Sequence, residues 1–315
     1  MEAVRRIEIP TGLTIGAVNA YLFPASPITL VDPGPASAGS WDALVAGLAE
    51  GGLRPSDVEQ IVITHGHIDH FGQADRLRRG GGARVLAPAE DAAMVGDFHV
   101  EYARRRQRYL ALLAECGAPD PLGRELSAFF GSLDALGEGV AVDLALHDGD
   151  TYEAGGEFVT VVDTPGHSRG AACHLTASGL LVSGDTAIPG LTPIAAFGGR
   201  QGAVGVADSL ASLDRLASLP VRHVLPGHRG PFRDLRGYVW EQHRRHDSRQ
   251  QAVLSHLGSE RTVWEVCLAV FGDLPLSEVF LGITEVLGHL EYLEAAERVA
   301  SRHVDGVRRY VRKTA

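Results

Sequence analysis

Short apolar runs rich in β-branched residues recur through the first part of the chain, separated by polar turns and amphipathic stretches. Residues 4–9, 19–23 and 28–31 read as opening strands, 58–64 (VEQIVIT) as a buried strand and 84–86 as a short one. Strands resume near 141–146, and 158–162, 180–183 and 221–225 follow the same pattern. Asp148-Gly149-Asp150 reads as a turn. Residues 37–50 form an amphipathic pattern, capped by Ser37 or Ser40 and stopped at Gly51-Gly52. Helices are also predicted over 71–79 and 204–219, the second with Leu210, Leu213 and Leu216 on one face.

The pattern is helical between Pro88 and about Gly139, with segments at 98–115 and 122–136. From Phe232 it is helical again: a long helix to about Leu257, then 262–271 and 277–298. Asp305-Gly306 follows as a two-residue hairpin signal. These changes of pattern divide the chain into a part at 1–231, with an insertion at about 88–139, and a C-terminal part at 232–315.

At 315 residues, 45% hydrophobic, the chain can bury one large core or two. It holds no run of eighteen apolar residues, and we expect neither a leader nor a membrane span, with a cytoplasmic location. Cys116, Cys173 and Cys267 are too dispersed for a zinc ribbon or a disulfide framework, and Cys173 reads as a buried strand residue. The net charge of −10 does not favour an extended nucleic-acid surface. Lys313 is the only lysine, so the run Arg104, Arg105, Arg106 and Arg108 and the basic end of the chain partly reflect compositional bias. That end, residues 298–315, carries six basic groups against one acid, a local +5.

The chemistry is concentrated at the strand ends. Residues 58–64 run into Thr64-His65-Gly66-His67-Ile68-Asp69-His70, with Gly66 expected to turn the loop tightly. Thr164-Pro165-Gly166-His167-Ser168, Ser183-Gly184-Asp185-Thr186 and Pro226-Gly227-His228 each follow a further apolar strand. Neutral imidazoles and carboxylates gathered in this way are divalent-metal ligands. One loop could serve two metals, His65 and His67 on one and Asp69 and His70 on the other. His243 and His246 lie on the long helix, and their spacing alone does not make them ligands.

Taken in order, His-x-His-x-Asp-His, Pro-Gly-His, Gly-Asp-Thr and Gly-His resemble the metallo-β-lactamase-fold hydrolases over roughly residues 4–232. The resemblance implies an α/β fold, an αββα sandwich with its metals at one edge. The spacing of the ligands adds a helical insertion, and the three helices and terminal hairpin after Phe232 separately resemble a small C-terminal winged-helix-like domain. The family resemblance implies His65, His67 and His167 at one metal, Asp69, His70 and His228 at the other, and Asp185 between them. Val31-Asp32-Pro33-Gly34 also looks like a family motif, with Asp32 supporting the ligand loop. An aspartate at 185, where the best-known zinc β-lactamases have cysteine, is similar to glyoxalase II, the lactonases and the RNA-processing members.

The implied activity is hydrolysis by a metal-bridging hydroxide, with Asp69 orienting the nucleophile and two divalent ions, zinc first and iron or manganese as alternatives. A small thioester or ester is the leading substrate and a lactone of the acyl-homoserine type the next. Single-stranded RNA is a third reading, because a C-terminal winged helix also occurs in the β-lactamase-like-2 endoribonuclease branch. A metal-sensing winged-helix regulator is the non-enzymatic alternative. The His70-to-His167 separation of 97 positions supports an insertion that lines the substrate site, thickens the domain or mediates a homodimer.

Overall fold

A computed structural model describes residues 4–193 and 205–313. The apolar runs assemble into two facing sheets. The first has six strands in the order β1 (Arg5–Ile9), β2 (Val18–Phe23), β3 (Thr29–Val31), β4 (Gln60–Val62), β5 (Arg84–Pro88) and β6 (Leu144–Leu146). Its first three strands are antiparallel, and β3 to β6 are parallel. The second sheet holds β7 (Thr151–Ala154), β8 (Glu157–Asp163), β9 (Ala172–Thr176), β10 (Leu180–Gly184) and β11 (His223–Pro226). Only β10 and β11 pair in parallel there.

Between the sheets, Tyr21, Val31, Val62 and Leu86 meet Val159, Val161, Ala172 and Val182. The outer face of the first sheet is covered by α1 (Ala38–Glu50), α2 (Ile68–Phe71), α3 (Ala74–Gly81) and α4 (Ala92–Gly96), through Leu44, Leu48, Phe71, Leu77 and Val95. The chain then forms α5 (Phe98–Glu115) and α6 (Asp120–Ser132). Helices α7 (Val206–Ala217) and α8 (Leu235–Ser255) cover the second sheet with Leu213, Leu216, Tyr238 and Val239. The inner strands β2, β3, β4 and β10 are buried on both faces because both faces are covered, while the edge strands β1 and β7 alternate, and the layers run αββα.

The helix expected over 71–79 is divided into α2 and α3. Gly72 sits at the break, where a Cβ would run into the Leu136 carbonyl oxygen, so the chain passes beneath the turn that follows α6. Starting α2 at Ile68 places Asp69 and His70 inside a helical turn and His67 at its N-cap. Ser37 caps α1 by accepting from the Ser40 N–H, while the Ser40 hydroxyl donates to the Pro10 carbonyl. Of the helix expected over 204–219, Val204 lies outside the described residues.

The C-terminal part adds β12 (Arg261–Thr262), α9 (Val263–Phe271), α10 (Leu276–Ala295), β13 (Val299–Val304) and β14 (Val307–Arg312), with strand order β12-β14-β13. Asp305 and Gly306 both adopt left-handed backbone, φ 52° and 80°, as the tight hairpin requires. Tyr109, Leu113, Leu126 and Phe130 of α5 and α6 share one apolar cluster with Val253, Val266, Phe280 and Ile283 of the C-terminal helices. The inserted helices are therefore held between the sandwich and the C-terminal part. Among the described residues no single helix is long and apolar enough to cross a membrane.

Candidate metal centre

Every candidate ligand is delivered from the same edge of the sandwich. His65 follows β4, His67 stands at the N-cap position of α2 with its side chain free of any capping bond, and Asp69 and His70 lie within the helix. His167 leaves β8, Asp185 leaves β10 and His228 leaves β11. Donor atoms of His65, His67 and His167 lie within 4.8 Å of one another, as do those of His65, His70 and Asp185 and those of Asp69, His70 and His228. Asp185 sits between the groups, 3.4 Å from His70 Nε2 and 3.6 Å from both His167 Nε2 and His228 Nε2.

The hydrogen-bond partners fix which imidazole nitrogen faces inward. Asp32, buried with φ 51°, accepts from the Thr64 N–H at 2.9 Å and from the Thr64 hydroxyl at 2.7 Å. It also accepts from His70 Nδ1 at 2.8 Å. Because the Thr64 proton goes to Asp32, its oxygen accepts from His65 Nδ1 at 3.0 Å. His228 Nδ1 donates to the Ala17 carbonyl at 2.8 Å. In all three rings the Nε2 is thus left as the metal-facing nitrogen.

Those Nε2 atoms and Asp185 Oδ1 are buried without a hydrogen-bond partner among the described residues, and beside them His167 Nε2 and His67 Nδ1 face each other at 2.9 Å. Buried polar atoms are rarely left unpaired, and this set of nitrogens and carboxylate oxygens fits a divalent cation.

Charge supports the same fit. Burial, and then neighbouring imidazoles, hold His65 and His67 well below the usual histidine range, and burial also lowers His167. These rings are neutral, as ligation requires. Burial pushes Asp69 and Asp185 up, but surrounding imidazoles outweigh it, leaving Asp69 at about 2 and Asp185 well below its ordinary value. Burial lowers His70 and His228, yet the facing carboxylates outweigh it and raise both. A cation would replace the extra protons those two rings carry without it.

A family model described as the metallo-beta-lactamase superfamily matches residues 13–228. The chain belongs to that superfamily. It is a metal-dependent hydrolase, and the superfamily implies divalent metal ions at this edge. It is 28% identical over 327 residues to the probable metallo-hydrolase YqjP of Bacillus subtilis, covering 95% of each chain. A crystal structure of a metallo-beta-lactamase family protein from Thermus thermophilus superposes with a TM-score of 0.84 at 28% identity, covering 99% of both chains. A hydroxyacylglutathione hydrolase of Fuscovulum blasticum is 29% identical over 178 residues, 56% of this chain and 49% of that one.

Within this superfamily member, glycines keep the site open. A Cβ at Gly227 would fall on Asp185 Oδ1 and lie 2.8 Å from His70 Cε1. The chain bends at residues 64–66 as expected, and Gly66 takes part without left-handed backbone. It also supplies room: a Cβ there would lie 3.0 Å from Met94 and 3.2 Å from Asp91.

Two supporting residues carry no motif. Asp91 is buried and accepts from the Gly66 N–H at 2.6 Å and the Ser168 hydroxyl at 3.3 Å, tying the His65–His67 loop to the His167 loop. Asn19 donates to the carbonyls of Pro226 and Arg229 at 2.8 and 2.7 Å, holding the turn that carries His228. In sequence both read as ordinary polar residues near strand ends. His243 instead pairs with Asp214, and His246 meets His289, so neither joins the cluster. Cys173 is buried in β9, in line with its sequence pattern.

Proposed function

We propose that this hydrolase holds two divalent cations and cleaves a small thioester or ester. The observation that carries the reading is the gathering of two donor sets about one carboxylate, Asp185. His65, His67 and His167 would hold one cation, Asp69, His70 and His228 the other, and Asp185 would be shared. Zinc is our first assignment, with iron or manganese suited to the same donors. When bound, the cations supply Lewis acidity and a water of lowered pKa.

The chain's own residues do the rest. Asp69, ionised down to about pH 2, accepts a hydrogen bond from the attacking water and orients it. A thiolate, whose parent thiol has a pKa of about 8.5, leaves with less need of a proton than an alkoxide. Similarity to a hydroxyacylglutathione hydrolase supports a thioester, although the chain spans about half of that relative, 49%. The long insertion and the C-terminal part leave glutathione itself as one thiol among several.

We read residues 232–315 as a winged-helix-like unit that braces the insertion rather than binding RNA. Arg302 is paired with Glu260 at 2.6 Å and Arg308 with Glu294 at 2.5 Å, so part of the basic end is already neutralised. We place the protein in the cytoplasm, which its three buried free cysteines suit.

The test is elemental analysis of the purified protein joined to a panel of thioesters, lactones and single-stranded RNA. We expect about two metals per chain and thioester turnover. Lactone turnover alone would replace the thioester with the second substrate class, and cleavage of RNA alone would move the protein to the nuclease branch. Absence of metal and of turnover after adding zinc, iron or manganese would overturn the reading.

A further inference from the structure

Asp32 keeps its place against two backbone preferences. Its φ of 51° lies in the left-handed region that side chains disfavour, and it precedes Pro33, where extended backbone is preferred. A residue in such a conformation is held there by its surroundings. On one side the sheet does this, since the Asp32 N–H donates to the Val62 carbonyl at 3.0 Å. On the other side lies the buried turn Pro33-Gly34, and Gln73 holds that turn.

Gln73 is buried at the break between α2 and α3, three residues after His70. Its side-chain Nε2 donates to the Pro33 carbonyl, and its main-chain N–H donates to the Gly34 carbonyl at 2.9 Å. The Gly34 N–H donates in turn to the His70 carbonyl at 3.0 Å. Asp32 and His70 are therefore joined twice, through this backbone clasp and through the 2.8 Å bond between their side chains. The main-chain bond from position 73 would form with any residue but proline. The bond to Pro33 depends on the glutamine, and among the described residues that carbonyl has no other donor.

We propose that Gln73 is a positioning residue of the metal centre. Through the Pro33 carbonyl it keeps Asp32 in its left-handed conformation, and through the Asp32 carboxylate it fixes His70 and the Thr64–His65 pair. This rests on the reading of His65 and His70 as metal ligands and on no particular substrate class. Losing the amide would free the Pro33 carbonyl, let the turn relax toward the extended backbone that a residue before proline prefers, and draw the carboxylate off the two rings it orients.

Gln73→Met tests this, because it keeps the buried volume and removes the donor. Gln73→Asn stops one methylene short of the Pro33 carbonyl and should act in the same direction. The control is Gln60→Met: Gln60 is also buried and donates to the Glu153 carbonyl at 3.0 Å, from the start of β4 and away from the ligand loops. The first readout needs no metal. The His70 Nδ1 proton, held by a buried carboxylate, gives a downfield imidazole resonance in the metal-free protein, identified by its loss in His70→Ala. We expect that resonance to move or broaden in both Gln73 variants and to stay in place in Gln60→Met.

The second readout is zinc affinity by chelator competition, with the visible bands of the cobalt-substituted protein beside it. Gln73→Met should weaken affinity about ten-fold and change the bands. In an Asp32→Asn background the same substitution should add little, because the residue it acts through is already altered. A variant that melts lower but keeps the resonance, the affinity and the cobalt bands would make Gln73 purely structural and overturn the proposal. So would an effect that adds in full to that of Asp32→Asn. A wild-type protein that binds no metal, with the resonance still moved by Gln73→Met, would reject the metal reading while leaving the hold of Gln73 on Asp32 standing.

Discussion

Asp32 Oδ2 accepts a 2.8 Å hydrogen bond from His70 Nδ1, and the same carboxylate fixes the Thr64 hydroxyl that orients His65. One buried side chain thereby sets the tautomer of two imidazoles in different donor groups. Asp32→Asn keeps an acceptor for one partner and replaces the other oxygen with an amide, and asparagine tolerates the φ of 51° at this position. We expect the fold to persist and metal affinity to fall by about 10- to 100-fold, read by competition with a chromophoric chelator. Unchanged affinity would show that the second layer does not orient these rings.

Removing a donor should act on metal content directly. Asp185→Ala, or His67→Ala, is expected to abolish hydrolysis and release at least one metal per chain while circular dichroism stays close to wild type. A variant with full metal occupancy or activity would contradict the proposed ligand set.

Asp91 links two ligand loops through Gly66 and Ser168. Asp91→Ala leaves the buried Gly66 N–H without its partner, at about 1–3 kcal/mol of stability. Loss of metal affinity should fall on the His65, His67 and His167 group first, because those are the loops that loosen. Thermal melting with stepwise metal titration separates the two effects, and a variant that melts lower but binds both metals normally would make Asp91 purely structural.

Acid stability should depend on a pair outside the centre. His246 Nδ1 and His289 Nε2 are 3.4 Å apart between α8 and α10. Burial is the first cause that lowers them, to about 4 and about 3, with His243 and Arg249 adding to the effect on one or both and Asp247 opposing it at His246. Both rings are neutral in the folded chain at pH values where the unfolded chain takes up protons. Their contribution is therefore complete above the ordinary histidine value of about 6.5 and is lost as pH falls toward the folded values. We expect denaturant midpoints of the metal-free protein to drop between about pH 6.5 and 4, with a shallower slope in a His246→Gln, His289→Gln double variant. Parallel slopes would remove the pair from the acid response.

Much of the centre was legible because its ligands are local in sequence or marked by their strand ends. His65, His67, Asp69 and His70 fall within six consecutive positions, and His167, Asp185 and His228 each follow an apolar run in a glycine-containing turn. Asp32 was legible through its Val-Asp-Pro-Gly setting. Asp91 and Asn19 were not, because their importance lies in which loop they meet, and that depends on strand order. The break at Gly72 was equally hidden, since it is imposed by the Leu136 carbonyl from the far end of the insertion.

The sequence by itself determined the elements, the superfamily and the residues able to bind metal, because periodicity and donor chemistry are properties of short segments. Only the tertiary structure decided which nitrogens face inward and how Asp185 stands among three imidazoles. It also joined α5 and α6 to the C-terminal helices in one cluster. Those outcomes are set by contacts between segments far apart in the chain, whose pairing energies depend on distance and burial rather than on local pattern.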